Sequence, residues 1–101
     1  MFKIFPDYVA SVIAEVEGVI NCNVVCIGDT ARKNVAIAFV LAQESFDKND
    51  LKLKIAQHAK DNLPEHSVPT KIRFVDAFPL TPIGKIDYRA LEKQAEEMSN
   101  V

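Results

Sequence analysis

The chain has 101 residues, 49% of them hydrophobic and 26% charged, with a formal net charge of −2. That length holds one domain with a modest core and is too short for two, and the composition is ordinary for a folded globular protein. The charge balance excludes a basic field for nucleic acid or a polybasic membrane patch, and no apolar run approaches the roughly 18 residues a membrane span needs.

Residues 2–5 alternate around Lys3 and could form a short strand, although nothing upstream exists to pair with it. The chain therefore reads as starting from the middle of something larger. No secretory pattern precedes this segment, so the expected compartment is the cytoplasm. Pro6 and Asp7 then open a helix, proline suiting the first turn and aspartate capping free N–H groups and complementing the dipole. Val9, Val12, Ile13 and Val16 fall at i, i+3, i+4 and i+7, one apolar face, and Gly18 supplies the stop.

Residues 19–27 are rich in β-branched side chains and end at the turn signal Gly28-Asp29. Ile20, Cys22, Val24 and Cys26 share one face of this strand; Val25 and Ile27 lie on the other, beyond Asn21 and Asn23. Four residues apart on a strand, Cys22 and Cys26 stand about 13 Å from each other, too far for a disulfide. They read as buried thiols packed as small hydrophobes. With only His58 and His66 in addition, the sequence offers too few ligands for a metal site.

Residues 35–42 are apolar throughout, as expected of a central strand covered on both faces, and pair antiparallel with the preceding strand through the polar loop 28–34. Asp47 or Asp50 caps the next helix, which runs to about Asn62 with Leu51, Ile55, Ala59 and Leu63 as its buried stripe. His58 lies at the edge of that stripe, where packing or solvation outweighs a catalytic role. Pro64 and Pro69 end the helix and lead into a third strand, 72–75, joined by a helical crossover and so parallel to the second. Asp87 caps a last helix with Tyr88, Leu91, Ala95 and Met98 on one face. The fold class is α/β (α+β): a small mixed sheet of about three strands with helices packed on it, in the order (β)-α-β-β-α-β-α.

Residues 76–87 carry the chemistry. Pro79 and Pro82 stiffen the backbone, Gly84 permits a tight geometry, and Lys85 offers one compact cation beside a helix start. There is no hydroxyl–histidine pair, no carboxylate dyad and no phosphate-cradling glycine run. Spacing alone leaves Lys85 a solvated surface lysine.

The wording Phe78-Pro79-Leu80-Thr81-Pro82-Ile83-Gly84-Lys85-Ile86-Asp87-Tyr88-Arg89-Ala90-Leu91 resembles the last signature of the adenylate-forming enzymes: acyl-CoA synthetases, nonribosomal-peptide adenylation domains and luciferases. It reads P-x-T-x-x-G-K-x-D-x-x-x-L. The resemblance continues through Leu63-Pro64-Glu65-His66-Ser67-Val68-Pro69, Val24-Val25-Cys26-Ile27-Gly28-Asp29 and Lys3-Ile4-Phe5-Pro6. It departs where the family carries acidic residues after the proline, since Tyr8 and Ala10 stand there, and at Ile83 and Tyr88, where a small polar residue and an arginine are common.

The resemblance implies a small C-terminal domain that swings against a large N-terminal domain, absent from this chain. Lys85 would contact the carboxylate and the ATP α-phosphate, with Thr81, Pro82 and Gly84 supporting its loop. Lys3, Ile4 and Pro6, on the opposite face, would line the approach of the thiol acceptor. The parent enzyme would use ATP, Mg2+ and coenzyme A (or a carrier-protein pantetheine) to activate a carboxylic acid, leaning towards acyl-CoA synthetases. The chain alone would bind none of these cofactors and would not catalyse adenylation. Two other readings stay open: a free-standing module docking in trans on a separate adenylating subunit, and a binding domain that keeps the fold without the chemistry.

Overall fold

The computed structural model describes residues 4–28 and 34–99. Its elements run α1 (Pro6–Ile13), β1 (Val19–Gly28), β2 (Asn34–Ala42), α2 (Lys48–Asn62), a short 3-10 turn (Glu65–Ser67), β3 (Lys71–Phe74) and α3 (Tyr88–Ser99). The strands form one sheet in the order β1-β2-β3, β2 being antiparallel to β1 and parallel to β3. The mixed sheet and the helix–strand alternation are as the periodicities predict. The apolar run of β2 is central, with Ala36 to Val40 each no more than 1% exposed.

Both faces of the sheet are covered. On one, Val9, Val12 and Ile13 of α1 and Leu51, Ile55 and Ala59 of α2 pack with Cys22, Val24, Ala36, Ala38 and Val40. On the other, Leu91 and Ala95 of α3 pack with Val25, Ile27, Ile37 and Phe39. The period of two along β1 and β2 thus feeds two separate apolar clusters, one per face.

The structure corrects several local expectations. Asp7 lies in the first turn of α1 and complements its dipole, but no side chain caps this helix; Phe5 is the N-cap and Pro6 the first helical residue. The helix ends at Ile13 and continues as tight turns, with Glu15 N–H on Val12 O and Val16 N–H on Ile13 O. Gly18 is therefore not the residue that ends it. With φ at +101°, Gly18 instead turns the chain into β1 beneath the Phe46 ring.

Ile20 was expected beside Cys22 and Val24 but is 58% exposed. A register irregularity between Val19 and Asn21 shifts the alternation, so that Val19 takes the inward place against the first cluster. Asp47, of the two candidates, caps α2 by accepting the Asn49 N–H at 3.1 Å. The first strand expected over residues 2–5 lies largely outside the described residues, and Ile4 and Phe5 belong to no strand.

Two predictions follow from this packing. A methyl group at Gly18 would meet Phe46 ring carbons at 2.7 and 2.9 Å and would hold a left-handed φ. Gly18→Ala should cost on the order of 1–3 kcal/mol in urea denaturation, whereas Gly28→Ala, with nothing near its added carbon, should be close to neutral.

Burial pushes the Cys22 thiol from its ordinary 9.0 up to about 12. The folded state then holds a proton that the unfolded state releases. The associated stability is intact below pH 9 and declines as pH rises towards 12. Between about pH 9 and 12 the wild type should lose about 1.4 kcal/mol per pH unit more than Cys22→Ala does; equal slopes would contradict this.

Candidate active-site loop

After β3 the chain crosses to the α3 face, and Val75, Phe78 and Ile86 pack against the second apolar cluster. Between Phe78 and Ile86 the backbone folds back on itself as a short hairpin. Leu80 and Ile86 form an antiparallel bridge, and the Asp87 N–H donates to Pro79 O at 2.9 Å across the base. Inside it the Thr81 N–H donates to Lys85 O at 2.7 Å and the Gly84 N–H donates to Thr81 O at 2.9 Å. Gly84 has φ at +85°, the left-handed conformation this return needs.

Lys85 is exposed, and its backbone N–H donates to Thr81 Oγ1 at 3.2 Å. Thr81 therefore meets the loop three times, through its N–H, its carbonyl and its hydroxyl. Pro82 and Ile83 form the exposed tip, Ile83 at 78%. The lysine thus stands on a loop closed by its own hydrogen bonds and pinned at both ends to the core. Asp87 finishes the construction, its Oδ1 accepting the Ala90 N–H at 3.2 Å to cap α3.

Of the residues expected at a thiol-acceptor face, Lys3 lies outside the described residues. Ile4 packs against the first apolar cluster, on the α1 face and so across the sheet from Phe78 and Ile86. Pro6 lines a groove of about 330 Å³ with Asp7, Val24, Val25, Cys26, Tyr88 and Glu92. That groove spans the exposed edge of β1, between the first turns of α1 and α3. The Cys26 thiol is pushed up by its burial and then by the Glu92 charge. It is thus a poor nucleophile. Among the described residues no group of three or more His, Cys, Asp or Glu could hold a metal ion, and no helix is long and apolar enough to cross a membrane.

His58 is half-buried and pairs through Nε2 with Glu15 Oε1 at 2.9 Å, tying α2 to the segment after α1. Its role in the fold is this tertiary polar contact.

Sequence reasoning missed a polar contact between a buried asparagine and a half-exposed tyrosine. Asn23 is only 8% exposed, on the face of β1 shared with Val25 and Ile27. Its Oδ1 accepts the Tyr88 hydroxyl at 3.2 Å, and its Nδ2 has no partner among the described residues. A buried donor left unsatisfied costs on the order of 1–3 kcal/mol. The sole signal in the sequence was an asparagine at an inward position of an apolar strand.

The comparisons with known proteins agree with this architecture. The family model described as AMP-binding enzyme C-terminal domain matches residues 8–85. The chain belongs to that family. The 2-succinylbenzoate–CoA ligase of Listeria monocytogenes serotype 4b (strain F2365) is 33% identical over 92 residues, which is 91% of this chain and 19% of the ligase. The human mitochondrial acyl-coenzyme A synthetase ACSM1 is 32% identical over 96 residues, covering 92% of this chain and 17% of the synthetase. Among solved structures, the acyl-CoA synthetase of Brucella canis superposes with a TM-score of 0.84 at 32% identity, over 97% of this chain and 18% of that one. The chain spans less than a fifth of the length of each of these relatives. Nonribosomal peptide synthetases of Aspergillus terreus and Aspergillus fumigatus also match.

The loop geometry makes a prediction of its own. Thr81→Val removes the acceptor of the Lys85 N–H and keeps the bulk. Exchange of that amide, followed by NMR, should quicken by roughly tenfold, the equivalent of one modest hydrogen bond, while Thr81→Ser should restore most of the protection.

Proposed function

We propose that this chain is the mobile C-terminal domain of an ATP-dependent carboxylic acid–CoA ligase and that Lys85 is its working cation. The observation that carries the reading is an exposed ammonium on a self-bonded loop, within a chain of the AMP-binding C-terminal family. The ligase names of its relatives support the reaction class.

In that reaction a carboxylate oxygen attacks the α-phosphorus of ATP, and pyrophosphate leaves. Negative charge gathers on the α-phosphate oxygens as the new P–O bond forms. A cation held beside them lowers the barrier, and one already fixed does so without reorganisation at the moment of reaction. The Thr81 bonds and the positive φ of Gly84 hold the loop backbone, leaving the lysine stem to reach outward.

In the second half-reaction the thiol attacks the acyl-adenylate and AMP leaves. Lys3, Ile4 and Pro6 are proposed to line the approach of that thiol. Domain rotation would exchange one face for the other at a catalytic site in a large N-terminal domain. The described residues do not fit a Mg2+ site. Nucleotide, acid and metal are proposed to bind in the larger domain, with coenzyme A as the acceptor.

Lys85→Ala in the full-length ligase should lower ATP-dependent adenylate formation by roughly 10²- to 10³-fold, the scale of one preorganised electrostatic contact. Thioester formation from supplied acyl-adenylate should change little, measured by CoA consumption. Equal loss in both half-reactions would overturn the assignment. The 101-residue chain alone should show no ATP–pyrophosphate exchange; robust exchange would place the nucleotide site within it.

A further inference from the structure

We infer that Asn23 is a positioning residue: from the middle of edge strand β1 it holds the Tyr88 hydroxyl, and through the first turn of α3 it sets the pose of the Lys85 loop. The inference rests on the proposed role of Lys85 for its catalytic meaning, though not for its geometry.

The site of Asn23 is suited to an apolar residue. Val25 and Ile27 share its face, and its cross-strand partner Phe39 is fully buried. The amide nevertheless lies there, nine-tenths buried, with Nδ2 lacking a partner among the described residues. Packing does not account for it. What the amide supplies is an acceptor at a fixed point on a strand, facing the start of α3.

Tyr88 follows directly on Asp87, and Asp87 is shared by two constructions. Its N–H closes the base of the loop on Pro79 O, and its carboxylate caps α3. A displacement of Tyr88 therefore passes to Asp87 and from there to the loop base. Phe78 and Ile86 hold the loop down by non-directional apolar contact. The hydroxyl–amide bond adds a direction to that hold. At 3.2 Å it is longer than the usual hydroxyl hydrogen bond, so its removal should loosen the loop without unfolding the domain.

The test uses Tyr88→Phe, which keeps the ring, and Asn23→Val, which suits a strand and removes the unpaired donor. Amide exchange is followed by NMR at Thr81, Gly84, Lys85 and Asp87, with Ile37 and Phe39 of β2 as references, alongside thermal denaturation. Each variant should speed exchange at the loop by about fivefold, the scale of one hydrogen bond, and leave the references unchanged. Asn23→Val should melt no lower than wild type, and the double variant should be no looser than either single one.

Unchanged loop exchange in both variants overturns the inference. So does a parallel rise at loop and references, which would mark a purely structural bond. In the full-length ligase both variants should lower kcat for adenylate formation several-fold while the KM for ATP stays constant. If Lys85→Ala leaves adenylation intact, the role of Lys85 fails, and loop exchange still decides the tether by itself.

Discussion

The burial of β2 on both faces is the constraint on which the other elements depend. Five consecutive residues, Ala36 to Val40, are almost wholly removed from water. A strand so covered must find hydrogen-bond partners on both edges, because an unpaired buried amide is costly. β1 supplies one edge and β3 the other, and α1, α2 and α3 are what cover the faces. Phe39 alone contributes about 1.5–3 kcal/mol through burial. A three-stranded sheet offers little redundancy: loss of either neighbour would leave the central strand's polar backbone exposed to an apolar interior.

Dividing the side chains of one strand between two faces also separates the domain's tasks. The α1–α2 face builds the larger cluster and carries the His58–Glu15 pair. The α3 face is thinner and anchors the loop that bears Lys85. The groove at the edge of β1 joins the two, since Pro6 and Asp7 come from one layer and Tyr88 and Glu92 from the other. Two chemically different surfaces can thus be presented by a domain with a single sheet, provided its central strand is rigid.

Much of this was legible in the residues, for identifiable reasons. Val9, Val12 and Ile13 mark their helix because period 3.6 leaves few alternatives, and the uninterrupted apolar run of β2 marks a strand covered twice. The Pro-Thr-Gly-Lys wording pointed to the loop, and the structure shows that loop bonded closed around Thr81. What escaped was set by tertiary geometry. Ile20 turns outward because of a bulge that no local pattern announces. Gly18 answers to a ring 28 positions away rather than to the helix before it. The contact of Asn23 stayed hidden because its partner, Tyr88, lies on a distant helix whose register the sequence does not relate to β1. Local rules failed at each place where the deciding neighbour was remote.

The closure of the lysine loop has a consequence for the cost of docking. A flexible loop that orders on meeting a partner gives up roughly 1–2 kcal/mol of backbone entropy per residue fixed. Here the Leu80–Ile86 bridge and the three Thr81 contacts have already restricted that freedom when the domain folded. What remains to be lost on docking is the rigid-body freedom of the domain and the rotamers of one long side chain. The proposed docking and withdrawal in each turnover would be helped by such a loop, because each approach would begin with its backbone already ordered.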